Sequence, residues 1–96
     1  MPFRLTFTVE AAAVLARLEA EQHQKLKKAR KTLGLLEINP RHPSLSTHEF
    51  TSLSGPGGER VFEAYVESRT LAAWRVFWYY GPSPGMIRIL NIMPHP

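Results

Sequence analysis

The stretch AWRVFWYYGPSPGMIRILNIM, residues 73–93, contains the pattern that decides the fold. Residues 73–80 are rich in aromatic and β-branched side chains, which is typical of a strand. GPSPG at 81–85 combines two glycines with two prolines and predicts a loop. Residues 86–93 are again apolar and β-branched, so the whole segment predicts two antiparallel strands.

Side chains alternate between two faces along the first of these strands. One face holds Trp74, Val76, Trp78 and Tyr80, and the other holds Arg75, Phe77 and Tyr79. A sheet covered on one side has one wetter face, and Arg75 marks its own face as the more exposed one. That face would suit RNA, since bases stack on aromatic rings and Arg binds phosphate. The alternative is a packed sheet in which Arg75 pairs with Glu63 or Glu67 on the neighbouring strand.

Two more strands are predicted upstream of this pair. RVFEAYVES at 60–68 alternates well and is joined to the next strand by the turn TLAA. Its two faces hold Phe62, Ala64 and Val66 on one side and Glu63, Tyr65 and Glu67 on the other. HEFTSLSG at 48–55 predicts a short strand, followed by a turn at GPGG. Strands joined in sequence by short turns form an antiparallel meander.

The N-terminal half predicts a strand and two helices. FRLTFT at 3–8 alternates as a strand, and Thr8 suits the N-cap of a helix over the Ala- and Leu-rich residues 9–20. A second helix has its apolar face at Leu26, Ala29, Leu33 and Leu36. Pro40 and Pro43 end this helix. The polar gap EAEQHQK favours a hairpin of two helices meeting near residues 19–22, although one long helix is an alternative because no Gly or Pro marks a turn.

The element order is therefore β-α-α-β-β-β-β, an α+β fold. We expect a single domain over residues 1–96, with the helices packed on one face of a four- to five-stranded twisted sheet. The N-terminal strand would add at an edge of the sheet or between other strands.

Composition excludes several classes of protein. Apolar residues make up 44% of the chain, as in globular proteins, and no apolar run is long enough for a membrane span. The N-terminus lacks a signal-peptide pattern, and the absence of cysteine fits a cytoplasmic protein. Without Cys or Asp, and with no metal spacing among the histidines, we expect no metal site and no cofactor.

The formal net charge of +4 is concentrated in residues 17–31, which carry six bases and two acids, a difference of four. Lys25, Lys28 and Lys31 align along one side of the second helix, and Lys27 and Arg30 widen the stripe. This stripe is either a ridge that contacts phosphate or the solvent face of an amphipathic helix.

Two of the four histidines, His48 and His95, lie at predicted strand ends. Imidazole titrates near neutral pH, so that either residue could act as a general acid or base. The alternative is an exposed histidine in a turn.

Three stretches together resemble the RelE/ParE superfamily of toxin–antitoxin toxins: LGLLEINPRHPSLSTHEF, AAWRVFWYY and IRILNIMPHP. They are similar to the second helix with its connector, the Tyr-Arg strand, and the last strand with the segment after it. The resemblance implies a small toxin domain that is neutralised by a cognate antitoxin. RelE-type members cleave mRNA in the ribosome without a metal, whereas ParE-type members act on DNA gyrase.

The resemblance also implies roles for individual residues. Arg75 matches the Arg of the Tyr-Arg motif, His95 follows the last strand where RelE-type toxins place a basic residue, and His48 lies near a position that is often Lys. These three form the expected catalytic set. The expected RNA-binding set is Lys25, Lys27, Lys28, Lys31, Arg41, Arg69 and Tyr79.

A second hypothesis is a non-catalytic binding module on the same fold, with an antitoxin, a nucleic acid or a gyrase-type partner. Glu67 falls where the family places an Arg on the middle strand, and the family's tail with its catalytic Tyr has no counterpart up to Pro96. Both departures favour the non-catalytic alternative.

Overall fold

The predicted order of elements is confirmed by a computed structural model, which describes residues 2–67 and 73–94. The elements of these described residues are β1 (Arg4–Phe7), α1 (Val9–Glu21), α2 (His23–Ile38), a short 3₁₀ turn (Pro43–Leu45), β2 (His48–Ser54), β3 (Arg60–Tyr65), β4 (Trp74–Tyr80) and β5 (Met86–Pro94). The predicted turn TLAA falls mostly outside the described residues. Among them, no helix has the length and apolar character needed to cross a bilayer.

The two helices begin and end where local chemistry dictates. Thr8 caps α1, since its hydroxyl accepts a hydrogen bond from the amide of Ala11 at 3.1 Å. Gln22 leaves the helical region at φ −143° and ψ 73°, so the prediction of two helices is confirmed. Asn39 is extended, as expected for a residue before proline, and ends α2.

The five strands form one mixed sheet in the order β1-β5-β4-β3-β2. The strands β2 to β5 pair antiparallel, as predicted for the meander. The N-terminal strand lies at the edge and runs parallel to β5. The amide of Thr8 donates to the carbonyl oxygen of Ile89 at 3.1 Å, so that α1 starts directly at the sheet.

The core lies between the helices and one face of the sheet. Trp78 is fully buried there, and its ring stacks on Phe62 with 5.1 Å between centroids. Leu36 of α2 is also fully buried in this cluster. All four residues predicted for the apolar face of α2 are buried: Leu26, Ala29, Leu33 and Leu36. The prediction that the helices cover one face of the sheet is therefore confirmed.

A β-bulge in β5 keeps its isoleucines in this core. Phe77 pairs with Asn91 while Trp78 pairs with Ile89, so Leu90 is an extra residue on β5. Because the extra residue reverses the alternation, Ile89 and Ile92 both face the helices and are fully buried. The carbonyl of Leu90 accepts a hydrogen bond from the hydroxyl of Thr8 at 2.6 Å.

The prediction that Arg75, Phe77 and Tyr79 form an exposed face is wrong. All three are buried, and Arg75 is only 7% exposed. Phe50 of β2 reaches across β3 and packs its ring against Phe77, 5.0 Å between centroids. The guanidinium of Arg75 lies 4.0 Å from the ring centroid of Tyr65. Side chains of β2 and β3 thus cover the face of β4 that lies opposite the helices.

Glu67 does not share the face of Glu63 and Tyr65, contrary to the strand prediction. β3 ends at Tyr65, and the Glu67 carboxylate accepts hydrogen bonds from Lys25 of α2 at 2.8 Å and from the amide of Trp74 at 3.1 Å. Glu67 is therefore directed to the helical layer and away from Arg75.

Truncation of Leu36 to Ala should lower the free energy of unfolding by about 2–5 kcal/mol, because it leaves a cavity at a fully buried site. Urea denaturation followed by circular dichroism measures this loss. Leu53→Ala makes the same truncation at a site 47% exposed and should cost roughly 0.5 kcal/mol or less. Equal losses in the two variants would contradict the described packing.

Glu67→Gln should lower stability at pH 7 by roughly 0.5–1 kcal/mol, a value limited by partial solvent screening. The hydrogen bond from Lys25 is the main cause that holds the pKa of Glu67 below its ordinary 4.5; partial burial opposes it, and Trp74 and Lys28 reinforce it. A lowered carboxyl pKa contributes stability above the unfolded pKa, and this contribution is lost as the pH falls through the folded pKa.

The stability difference between wild type and Glu67→Gln should therefore shrink as the pH falls below about 4.5. Denaturation curves at a series of pH values measure it. Glu19→Gln, which removes an exposed carboxylate of α1, is the charge-matched control. A difference that is constant with pH would contradict the ion pair.

Candidate functional site

Four side chains converge on the sheet face opposite the helices, and we call them the sheet-face cluster: His48, Glu63, Tyr65 and Arg75. The strand register brings them together, since His48 of β2 pairs with Glu63 of β3, and Tyr65 of β3 pairs with Arg75 of β4. The cluster therefore spans three adjacent strands.

Glu63 lies at the centre of the cluster and is only 1% exposed. One of its carboxylate oxygens contacts Nε2 of His48 and lies 4.0 Å from Nε of Arg75. A buried carboxylate is tolerated when basic groups pair with it. The alternative in which Arg75 pairs with Glu63 is confirmed by this geometry.

His48 is the accessible member of the cluster, with 45% of its side chain exposed. Its Nδ1 lies 2.9 Å from the carbonyl oxygen of Ser46, in a contact exposed to solvent. A carbonyl oxygen only accepts, so Nδ1 carries a proton in this contact. An imidazole held by a carboxylate at one nitrogen, with the other nitrogen at the surface, is typical of a general acid–base group.

Arg75 is held inside the cluster. One terminal nitrogen donates to the carbonyl oxygen of Ala73 at 2.6 Å, and the guanidinium packs on Tyr65. Tyr65 also meets the His48 ring edge-on, with 5.9 Å between centroids. Arg75 thus balances the charge of Glu63 and supports Tyr65 from within the fold.

The predicted lysine stripe lies on α2, in the layer that covers the other face of the sheet. Lys25 is paired with Glu67, and the amine of Lys28 lies 3.8 Å from the same carboxylate. Lys27 and Lys31 are exposed. The stripe does not join the sheet-face cluster, although Lys28, Lys31 and Tyr65 border one cavity of about 390 Å³.

The other predicted site residues are dispersed. Arg41 is exposed in the connector between α2 and β2, and Tyr79 is buried, so that its ring cannot be displayed for stacking. Arg69 and His95 lie outside the described residues. Of the predicted catalytic set, the structure brings His48 and Arg75 into one cluster through Glu63.

A smaller cavity of about 260 Å³ lies between the connector and the strands, and we call it the connector pocket. It is lined by Arg41, His42, Pro43, Ser46, Thr47, His48, Phe62 and Tyr80. His48 belongs both to this pocket and to the sheet-face cluster. Within residues 2–67 and 73–94, no three His, Cys, Asp or Glu side chains gather in a metal-binding arrangement.

Sequence reasoning named Glu63 only as a partner for Arg75 and missed its contact with His48. The available signal was an acid in the middle of an otherwise apolar strand, on the same face as an Arg of the next strand. Alternation predicted only which neighbours share a face with Phe62 and Tyr80, and nothing in it indicated that both would border a cavity at the connector.

No family model and no curated protein matches this sequence. Solved structures do match. The archaeal RelE–RelB complex from Pyrococcus horikoshii is 17% identical, with a TM-score of 0.68 over 98% of this chain and 96% of that chain. The YoeB/ParE toxin from Agrobacterium tumefaciens is 10% identical, with a TM-score of 0.73 over 97% and 99% of the two chains.

The YoeB dimer from Staphylococcus aureus is 13% identical, with a TM-score of 0.65, and both chains are covered completely. All three similarities extend over nearly the whole length of both chains, at identities that support a statement about the fold alone. The chain therefore shares the fold of these RelE and YoeB/ParE structures.

Proposed function

We propose that this chain is the toxin of a toxin–antitoxin pair and acts as a ribosome-dependent mRNA endonuclease that needs no metal. The observation that carries the proposal is the exposed imidazole of His48 held by the buried carboxylate of Glu63. The fold shared with RelE and YoeB toxins supports it. The proposed site of action is the cytoplasm, where ribosomes and mRNA meet.

In the proposed reaction the ribose 2′-oxygen attacks the adjacent phosphorus and the bond from phosphorus to the 5′-oxygen breaks. The 2′-hydroxyl gives up its proton and the leaving 5′-oxygen takes one, leaving a 2′,3′-cyclic phosphate and a 5′-hydroxyl. Nδ1 of His48 donates to the Ser46 carbonyl in a contact that is open to solvent, so a substrate oxygen can replace that carbonyl and exchange the proton. Glu63 holds Nε2 and keeps the ring in place.

His95 remains the predicted second acid–base candidate. One of the two histidines would accept the proton of the 2′-hydroxyl, and the other would donate a proton to the leaving 5′-oxygen. Arg41 is an exposed cation in the connector, suited to hold phosphate, and Arg69 is a further candidate. Arg75 contributes through Glu63, because its guanidinium is buried in the cluster. The exposed lysines of α2 add a positive field that attracts RNA.

A specific observation favours the non-catalytic alternative. Arg75, which carries the family motif, is buried and engaged by Ala73 and Tyr65, so that it is not presented to a phosphate. A binding module on this fold would use its surface for an antitoxin, a nucleic acid or a gyrase-type partner.

In a ribosome-programmed cleavage assay, the wild-type protein should cut mRNA and His48→Ala should be slower by about 10²–10⁴-fold, the range of general acid–base catalysis. His23→Ala removes an exposed histidine at the start of α2 and should cleave like wild type. Intact mRNA with wild-type protein, together with normal growth on expression in bacteria, would rule out the endonuclease.

His95→Ala belongs in the same assay, because it distinguishes the two acid–base candidates. Loss in His95→Ala with full activity in His48→Ala would move the role from His48 to His95. Loss in both variants fits the two-group reaction. Circular dichroism of each variant confirms that it is folded.

This chain should be expressed together with the product of an adjacent short open reading frame that encodes an amphipathic segment. The two proteins should copurify as a complex, and the partner should restore growth. The RelE–RelB complex is a solved example of such a pairing on this fold. Size-exclusion chromatography measures the complex. A stable complex with no cleavage by the free protein would favour the binding module.

A further inference from the structure

We propose that the connector pocket binds one nucleotide of an RNA strand, with the base against Tyr80 and Phe62 and the phosphate at Arg41. This assignment deepens the proposed endonuclease function and rests on it for the choice of RNA. The nucleotide chemistry itself follows from the aromatic floor and the basic rim of the pocket.

The floor of the pocket is aromatic and rigid. Tyr80 is 38% exposed, and its ring is packed against Phe3, Phe62 and Trp78 at centroid distances of 5.7, 5.8 and 4.9 Å. A ring already fixed by its neighbours loses little freedom when a base packs on it. Any of the four bases can stack on such a surface.

The rim supplies a cation and a hydrogen-bond donor. In the part of the chain that the structure describes, the guanidinium of Arg41 forms no ion pair, so its charge is available to an anion. Nδ1 of His42 accepts a hydrogen bond from the amide of Ser44 at 3.1 Å. The neutral ring of His42 therefore carries its proton on Nε2, which is a donor.

The size and position of the pocket favour a single nucleotide. Its volume of about 260 Å³ can hold a base and leaves the ribose and phosphate at the open rim, so a second nucleotide would not fit. His48 forms part of its wall and also contacts Glu63, so a nucleotide bound here lies beside the proposed acid–base group. The larger cavity at Lys28 and Lys31 suits an anion less well, because the Glu67 carboxylate is on its wall.

Titration of the isotope-labelled full chain with 5′-AMP, followed by NMR, tests the proposal without the ribosome. We expect amide shifts at the connector and at the end of β4, and binding at least tenfold tighter than that of adenosine or inorganic phosphate alone. Tyr80→Leu and Arg41→Ala should each weaken binding about tenfold, within the range for loss of one stacking or phosphate contact.

Two control variants separate the contacts from the fold. Tyr80→Phe keeps the ring and should bind 5′-AMP within about twofold of wild type. Arg17→Ala removes an exposed cation on α1, away from the pocket, and should also leave binding close to wild type. Thermal unfolding of Tyr80→Leu checks that the aromatic cluster survives.

The proposal is overturned if 5′-AMP causes no amide shifts, or if the shifts lie away from the connector and the end of β4. It is also overturned if folded Tyr80→Leu binds 5′-AMP as well as wild type does. Inorganic phosphate that binds as tightly as 5′-AMP would reduce the pocket to an anion site and also overturn it. Cleavage of mRNA without nucleotide binding overturns the pocket alone. Nucleotide binding without cleavage supports the pocket and counts against the endonuclease.

Discussion

The buried carboxylate of Glu63 requires basic side chains from the strands on either side of it. An unpaired charge at a site that is 1% exposed would cost several kcal/mol. β3 lies between β2 and β4, and each of these strands contributes one basic group, His48 and Arg75. A slip of one residue in either pairing would turn that partner to the opposite face, so Glu63 also helps to specify the register of the sheet.

The position of each strand in the sheet then decides which partner of Glu63 can act on a ligand. Arg75 belongs to β4, which has neighbours on both sides, and Phe50 and Tyr65 cover its face. His48 begins β2, the edge strand, where one flank stays open to solvent. Of the three residues that the family resemblance treats as catalytic, Arg75 is thus an internal counter-ion of Glu63 and His48 is an accessible imidazole, while His95 lies outside the described residues.

Alternation in the sequence predicted which side chains share a face of the sheet, and the four apolar positions of α2 predicted what covers one face. It could not predict the burial of Phe77, because Phe50, which covers it, lies two strands away. The burial of Arg75 depends on Tyr65 of the neighbouring strand. Glu67 was placed wrongly because the strand ends at Tyr65, three residues before the predicted end at 68, and the chain beyond it no longer follows the alternation. The bulge at Leu90 is not marked by the residues that commonly signal one, since neither Gly nor Pro lies next to it in β5. For the candidate site, the sequence indicated His48 and Arg75 separately, but only the register joins them through Glu63.

The distribution of charge follows from the same arrangement. Glu67, which lies outside the basic segment, pairs with Lys25 and reduces the positive charge that α2 presents. The exposed cations that remain, Lys27, Arg30 and Lys31, lie on the helical layer, away from the sheet-face cluster. Charges of this kind act over about one Debye length, roughly 10 Å at 0.1 M salt, and raise the rate at which an anionic partner is encountered. Arg41, an exposed cation of the connector, borders the same pocket as His48 and is therefore the residue that we propose to position a phosphate there.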